Sequence, residues 1–333
     1  MSALVQSLEQ IDSLVPGSSP EEQKDRATLR AMLRGYDGTY GDDGWTVVPG
    51  AVEQTFCLPI LNPDSKRSSQ SRTFGYAGVL DKIIKHVDRP GELFLLDHKS
   101  SSDDIQDPDG TYWRRLSIDP QSTVYMLAAW QSGVKLDGCL WDVLKKPTIK
   151  PKALTKAAVG EIISAKTYCG QAVAEETYQL VVTGQLADEN ADLFEQRFYS
   201  DIVADPGRFL QRRPVPRLDA DLLEFSRELW GIAESVRDAT NSEKWLKTGS
   251  PHGCMTYGRA CEYLGICSGR DSPESHHWTR KSNVHEELEL EGKGQGLAIL
   301  TNSSMNCFKL CHRKYYYRYV LGIEKADKDH NLY

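Results

Sequence analysis

Apolar residues recur at helical spacing in two early stretches, roughly 2 to 14 and 20 to 34, and the breaker "VPGSSP" divides them. Two helices are therefore predicted ahead of any sheet. From residue 51 the pattern changes. "AVEQTFCLPIL" (51 to 61), "FGYAGVLDKIIKHV" (74 to 87) and "GELFLLDHKSS" (91 to 101) are rich in β-branched and aromatic residues, with the turn-formers "NPDSKRSSQS" and "DRPG" between them. They predict a three-stranded antiparallel meander. A polar loop, "SSDDIQDPDGTYWRR", leads to "IDPQSTVYMLAAWQSG", a helix closed by glycine, and then to "KLDGCLWDVLKK", a further strand. The expected fold class is α/β, built as helix, three strands, helix, strand.

Between 153 and about 247 the spacing is mostly helical. "LFEQRFYSDIV" is a candidate strand there, and "DADLLEFSRELWGIAESVRDA" is the clearest amphipathic helix. Residues 268 to 296 are polar, with paired His276 and His277, and read as a loop or linker. The organisation expected is a core over 1–150, a helical region over 151–267 ending in cysteines, a linker over 268–300, and a cysteine-bearing, basic, aromatic helix over 301–333.

Composition narrows this picture. A chain of 333 residues, 40% of them hydrophobic, can bury a real core. There is no run of eighteen apolar residues and no signal-peptide pattern in the first thirty, so a soluble, cytoplasmic protein without membrane contact is expected. The net charge of -7 argues against indiscriminate coating of nucleic acid. Phosphate contacts would have to come from local clusters such as Lys145, Lys146, Lys150 and Lys152, or Arg212, Arg213 and Arg217, although short basic runs are more often solvated surface.

The strand pattern also carries candidate chemistry. Side chains alternate along a strand, so in "LLDHK" Asp97 and Lys99 project together and His98 points the other way. Asp81 is read as ending the preceding strand. In a hairpin the two aspartates can converge as hard oxygen ligands for a divalent cation, with an ammonium beside them, a combination suited to phosphodiester hydrolysis. Asp-x-Lys alone is ordinarily a surface salt bridge. Here the acids sit at the ends of apolar strands, where a carboxylate without a cation is costly to desolvate. The following helix carries Gln121 and Tyr125 one turn apart on one face.

"GVLDKI", "LFLLDHKSS" and "QSTVY" match, in order and spacing, the Gly-x-x-Asp, Asp-x-Lys and Gln-x-x-x-Tyr motifs of the PD-(D/E)XK nuclease superfamily, and the chain resembles its RecB-like branch. That resemblance implies a restriction-endonuclease-like core over 1–150. It implies Asp81 and Asp97 as ligands of Mg²⁺ or Mn²⁺, Lys99 as the catalytic lysine, and Gln121 with Tyr125 lining the site or contacting DNA. Glu53 matches an acidic position on the first strand of such proteins and is a further candidate. His98 fills the variable slot and is expected to be structural.

Eight cysteines without a secretory signal, five of them between 254 and 311, suggest metal binding rather than disulfides. Cys57, Cys139 and Cys169 read as ordinary buried thiols. "CMTYGRACEYLGIC" places Cys254, Cys261 and Cys267 within fourteen residues, and soft sulfur ligands select zinc or an iron-sulfur cluster. The trio resembles the C-terminal cysteines that hold a four-iron, four-sulfur cluster in AddB-type and CRISPR-adaptation nucleases, with a longer first gap that keeps zinc as the alternative.

"LTNSSMNCFKLCHRKYYYRYVLGIE" resembles the helix that begins those nucleases and supplies the lone fourth cysteine, with His312 in place of the usual proline. Cys311 fits the ligand position, and Cys307 is a bystander or a substitute. Arg313, Lys314 and Arg318 would border the cluster, with Tyr315, Tyr316, Tyr317 and Tyr319 divided between core and stacking. In relatives this helix comes first, so the chain is either permuted, folding its tail back, or a fragment of a tandem. The family's metal-ligand histidine has no counterpart, and His330 is a poor substitute.

The function expected is a metal-dependent DNase of RecB-like exonuclease type in recombination, repair or phage DNA processing. The alternative is a catalytically inactive iron-sulfur DNA-binding subunit. DNA is the expected partner, with a second nuclease copy or a helicase as further candidates.

Overall fold

The computed structural model describes residues 3–15, 17–65, 69–256, 258–286, 288 and 296–326. Local signals set the first elements. Helix α1 spans Ala3–Leu14 and α2 spans Pro20–Tyr40. At the start of α2 the Ser19 hydroxyl accepts the Glu22 N–H at 3.2 Å and the Glu22 carboxylate accepts the Ser19 N–H at 3.3 Å, a reciprocal cap that satisfies two otherwise orphaned donors. Strands β1 (Trp45–Leu61), β2 (Gln70–His86) and β3 (Arg89–Ser101) follow, then α3 (Thr111–Ser117), α4 (Pro120–Gln131) and β4 (Gly138–Lys145). Next come α5 (Lys156–Ala165), the two-residue strands β5 (Thr167–Tyr168) and β6 (Gln171–Ala172), α6 (Glu175–Val182), α7 (Ala191–Ala204), β7 (Leu210–Val215) and α8 (Asp219–Ser242). The last part holds α9 (Pro251–Cys254), β8 (Met255–Thr256), β9 (Arg259–Ala260), α10 (Leu264–Cys267), β10 (Trp278–Arg280), β11 (Ala298–Leu300), α11 (Asn302–Leu310), α12 (His312–Tyr315) and β12 (Ile323–Lys325).

The α/β expectation agrees with this order, and several boundaries shift. Asp81 does not end β2: the strand continues five residues further, to His86. The expected loop after β3 contains α3, which buries Tyr112, Trp113 and Leu116. The candidate strand "LFEQRFYSDIV" is helix. Its aromatic and β-branched content suggested a strand, but Phe194, Phe198 and Ile202 recur every fourth residue and, with Leu193, are fully buried along one helical face. The expected linker contains β10, paired antiparallel with β12 through Trp278↔Lys325 and Arg280↔Ile323.

Two compact units share the chain, each assembled from three stretches. The first comprises 1–48, 84–118 and 139–215. Within it β4 pairs antiparallel with β7 so that Asp142 faces Arg212. Helices α2 and α7 pack around Ala31, Met32, Phe198 and Ile202. Gly35 makes their close approach possible: a Cβ there would lie 2.5 Å from Ile202 Cγ2.

The second unit comprises 49–83, 119–138 and 216–333. Here β11 lies parallel to β2, Ala298 against Phe74 and Leu300 against Tyr76. The amphipathic α8 buries Phe225, Leu229, Ala233 and Val236, and the rings of Phe225, Tyr76, Phe56 and Tyr125 make a continuous aromatic chain. A separate cluster of Tyr263, Ile266, Tyr317 and Ile323 joins the cysteine-rich segment to the tail. Among the described residues no helix is long and apolar enough to cross a membrane.

Candidate active site and cysteine cavity

In the first unit, β3 presents its central residues to opposite faces, as a pleated strand must. Asp97 is fully buried, and Lys99 Nζ lies 2.6 Å from its Oδ2. The same ammonium sits 5.0 Å above the Trp141 ring, whose face attracts a cation. His98 turns the other way, with Nδ1 3.4 Å from Asp142 Oδ2.

Asp142 anchors a network that sequence reading missed. Its buried Oδ2 accepts from the Tyr36 hydroxyl on α2 and from Arg212 Nη2 on β7 at 3.0 Å, while Arg212 Nη1 bonds Asp43. Burial and then the neighbouring Asp142 charge push the Tyr36 phenol up. Burial works against the Arg212 cation, but Asp142, Tyr36 and Asp43 outweigh it and raise its pKa. The one available signal was an acid inside the apolar strand "CLWDVL". Such a residue needs a partner.

The arginines offered as a phosphate-binding cluster are instead committed inside their units. Besides Arg212, Arg213 lies 4.4 Å from the Trp113 ring centroid and donates to the Gln106 carbonyl at 3.0 Å. Arg217 donates to Thr123 Oγ1 and to the Asp119 carbonyl, each at 2.8 Å.

The other motif residues lie in the second unit. Asp81 is half-buried within β2. On α4, whose N-terminus is capped by Asp119 accepting the Gln121 N–H at 2.8 Å, Gln121 donates to the hydroxyl of buried Tyr125. The predicted one-turn pair is thus formed. Glu53 is exposed on β1 at a left-handed φ of 49°, close to Gly50 at 74°, where the strand is irregular.

Also in the second unit, Cys254, Cys261, Cys267 and Cys311 line one cavity of about 170 Å³, together with Lys247 and Lys314. Each cysteine is placed by backbone. The Cys261 N–H donates to the Cys254 carbonyl at 2.7 Å and the Cys267 N–H to the Tyr263 carbonyl at 2.9 Å. Cys311 takes an extended conformation, φ -163° and ψ 112°, that interrupts the tail between α11 and α12.

The tail is bolted to the segment before the trio. Arg313 N–H donates to the Leu246 carbonyl at 3.0 Å, Arg313 Nε to the Trp245 carbonyl at 2.8 Å, and Thr248 Oγ1 to the Leu310 carbonyl. Trp245 stacks on Tyr315 and Tyr316. His312, at the position of the resembled helix's proline, stacks on Phe308 with ring centroids 4.0 Å apart. Burial raises the Cys261 and Cys267 thiols. Cys307 does not line the cavity; it is buried in α11, where desolvation pushes its thiol up to about 11. Among the described residues no three His, Cys, Asp or Glu side chains group so as to hold a metal ion, and His330 lies outside the described residues.

The family model for the PD-(D/E)XK nuclease superfamily matches residues 3–268. The chain belongs to that superfamily, whose members are usually nucleases and typically use divalent metals such as Mg²⁺. No curated protein matches the chain.

Proposed function

We propose that the protein is a Mg²⁺- or Mn²⁺-dependent deoxyribonuclease of RecB-like exonuclease type, acting in recombination, repair or phage DNA processing. The observation that carries this reading is the fully buried Asp97 carboxylate with the Lys99 ammonium 2.6 Å away, on the strand where the superfamily motif expects both. Hard carboxylate oxygens are the donor set a divalent cation of this kind takes. By the motif match alone, Asp81 and Asp97 would hold the ion. When bound, it supplies the positive charge that polarises a phosphoryl group and acidifies water. Lys99 offsets charge developing on the phosphate and orients the attacking water. Gln121, locked to Tyr125, presents a fixed amide for positioning the strand.

The cysteine cavity supports the second half of the reading, a four-iron, four-sulfur cluster held by Cys254, Cys261, Cys267 and Cys311. The four sulfurs line one cavity, although among the described residues no three of them are grouped as ligands in this structure, and soft donors of this kind select an iron-sulfur cluster, with zinc as the alternative ligand chemistry. The tail contacts support a permuted arrangement, in which a C-terminal segment supplies the ligand that relatives draw from their N-terminus.

The test is cleavage of end-labelled single- and double-stranded DNA with Mg²⁺, comparing wild type with Asp97→Ala. Loss of cleavage with unchanged visible absorbance of the cluster is expected. Full activity in the variant removes the site. DNA binding without cutting by the wild type replaces this reading with a non-catalytic iron-sulfur subunit.

A further inference from the structure

In the second unit the motif residues border a cavity to which the cleavage chemistry gives no role. A Cβ on Gly78, the glycine of the Gly-x-x-Asp motif, would lie 2.9 Å from Phe56 Cζ, so glycine makes room for that ring against β2. Phe56 meets Tyr125 edge-on, with ring centroids 6.3 Å apart, and Tyr125 is bonded to Gln121. The same Phe56 walls a cavity of about 400 Å³, together with Leu80 and Ile83 from the segment of β2 that carries Asp81, and Ala129 one turn beyond Tyr125 on α4. Polar groups enter at few points, among them Gln54 and Ser132. Gln54 Nε2 donates to the Val52 carbonyl at 3.0 Å, which fixes the amide with its oxygen as acceptor. Next to it Glu53 holds a φ of 49°, a conformation costly for a residue with a side chain and one that collects at ligand sites. None of the described residues lining the cavity is charged. A phosphate would find no cation there, whereas a flat neutral ring suits apolar walls with sparse, fixed polar groups.

Resting on the nuclease reading above, we infer that this cavity seats one unpaired nucleobase of the bound strand, so that the substrate is DNA with unpaired bases, a single strand or a frayed end, rather than a fully paired duplex. Seats of this kind hold a base out of the stack between aromatic and apolar side chains and read its edge by hydrogen bonds. Phe56 supplies the ring and Leu80, Ile83 and Ala129 the apolar surface. The Gln54 oxygen accepts from an exocyclic amine, and the Ser132 hydroxyl serves as donor or acceptor. In a duplex each base must first be unstacked and unpaired, at a cost that an unpaired strand does not meet. Because the Gln121–Tyr125 pair and the cavity share Phe56 as their common wall, a strand positioned by the one delivers a base to the other.

The experiment is fluorescence anisotropy of the full chain with labelled DNA hairpins that carry a short 5′ or 3′ overhang, which fixes the register, without divalent metal so that nothing is cut. A single abasic site is moved one position at a time along the overhang. Wild type should lose about 10-fold in affinity when the abasic site falls at one particular position, the order expected for one seated base. Ala129→Leu fills the cavity, and Ser132→Phe covers it from an exposed position where folding is spared. Both should bind the intact overhang with the same loss and show no further penalty from the abasic site. Binding that no abasic position weakens, or a penalty that neither variant abolishes, overturns the proposal and leaves the nuclease reading standing; the cavity then serves an apolar segment of a partner. A wild type that neither binds nor cuts DNA overturns both.

Discussion

Lys99 Nζ rests 2.6 Å from Asp97 Oδ2, a pair formed by next-but-one residues of a single strand. A strand that alternates faces brings i and i+2 together without help from the rest of the chain, so this pairing is local and survives many distant changes. The lysine side chain is 29% exposed while the aspartate is sealed, which separates their roles in mutagenesis. Lys99→Met should lower Mg²⁺-dependent cleavage by on the order of 100-fold while leaving Mg²⁺ affinity near wild type, as calorimetric titration would show. Asp97→Asn should lose both cleavage and metal uptake, yet melt no earlier than wild type, because a neutral amide costs less to bury than a carboxylate. A large drop in melting temperature for Asp97→Asn would contradict the site.

Arg212 should matter to stability rather than to DNA. Replacing it with Met leaves Asp142 and Asp43 without the cation they share. Its side chain is only 10% exposed, so the loss should be about 3–5 kcal/mol, the usual cost of breaking a buried pair from one side. Urea unfolding monitored by tryptophan fluorescence measures it. Unfolding at the wild-type midpoint would show that the network does not hold α2, β4 and β7 together.

Acid sensitivity should trace in part to Glu189. Burial works to raise this carboxyl, but bonds from Arg197 and the Tyr168 hydroxyl, together with the Lys152 backbone N–H, win and hold it below its ordinary value of 4.5. A folded-state pKa below the unfolded one means that the stabilisation is complete above the unfolded value and is lost as pH falls through the folded one. Thermal melts of wild type should therefore decline more steeply below pH 4.5 than those of Glu189→Gln, with parallel curves at neutral pH. Identical slopes on the acid side would exclude Glu189 as a contributor.

The two tail cysteines should part company. Cys311 faces the cavity and Cys307 is buried in α11 outside its lining. After anaerobic reconstitution, Cys311→Ser should lose most of its iron and sulfide, whereas Cys307→Ser should retain wild-type content and spectrum. Retention of iron by Cys311→Ser and its loss from Cys307→Ser would reverse the ligand assignment.

What could be read along the chain was what depends on neighbours in sequence. The strands β1 to β4, the helix bearing Gln121 and Tyr125, and the opposite facing of His98 and Asp97 all follow from period and caps. Elements that depend on distant partners escaped. β7, "LQRRPV", is a strand because β4 offers it Asp142 for Arg212, and α7 was masked by β-favouring residues whose fourfold spacing is helical. The trio and Cys311 lie more than forty residues apart, and sequence left two arrangements open. The bonds of Arg313 and Thr248 to the far segment, with the packing of Tyr263 against Tyr317, show the tail beside the trio.

The weave of the chain has a practical consequence. Because each unit draws on three separated stretches, the polypeptide passes between them five times. A cut near residue 150 strands pieces of both units in each fragment, so excised halves should aggregate rather than yield autonomous modules. Much of the packing must wait for late-synthesised segments to arrive, which places this protein among chains whose folding is slow and exposed to misassembly. Recombinant yield should therefore respond to low temperature and chaperone supply more than to trimming of the sequence.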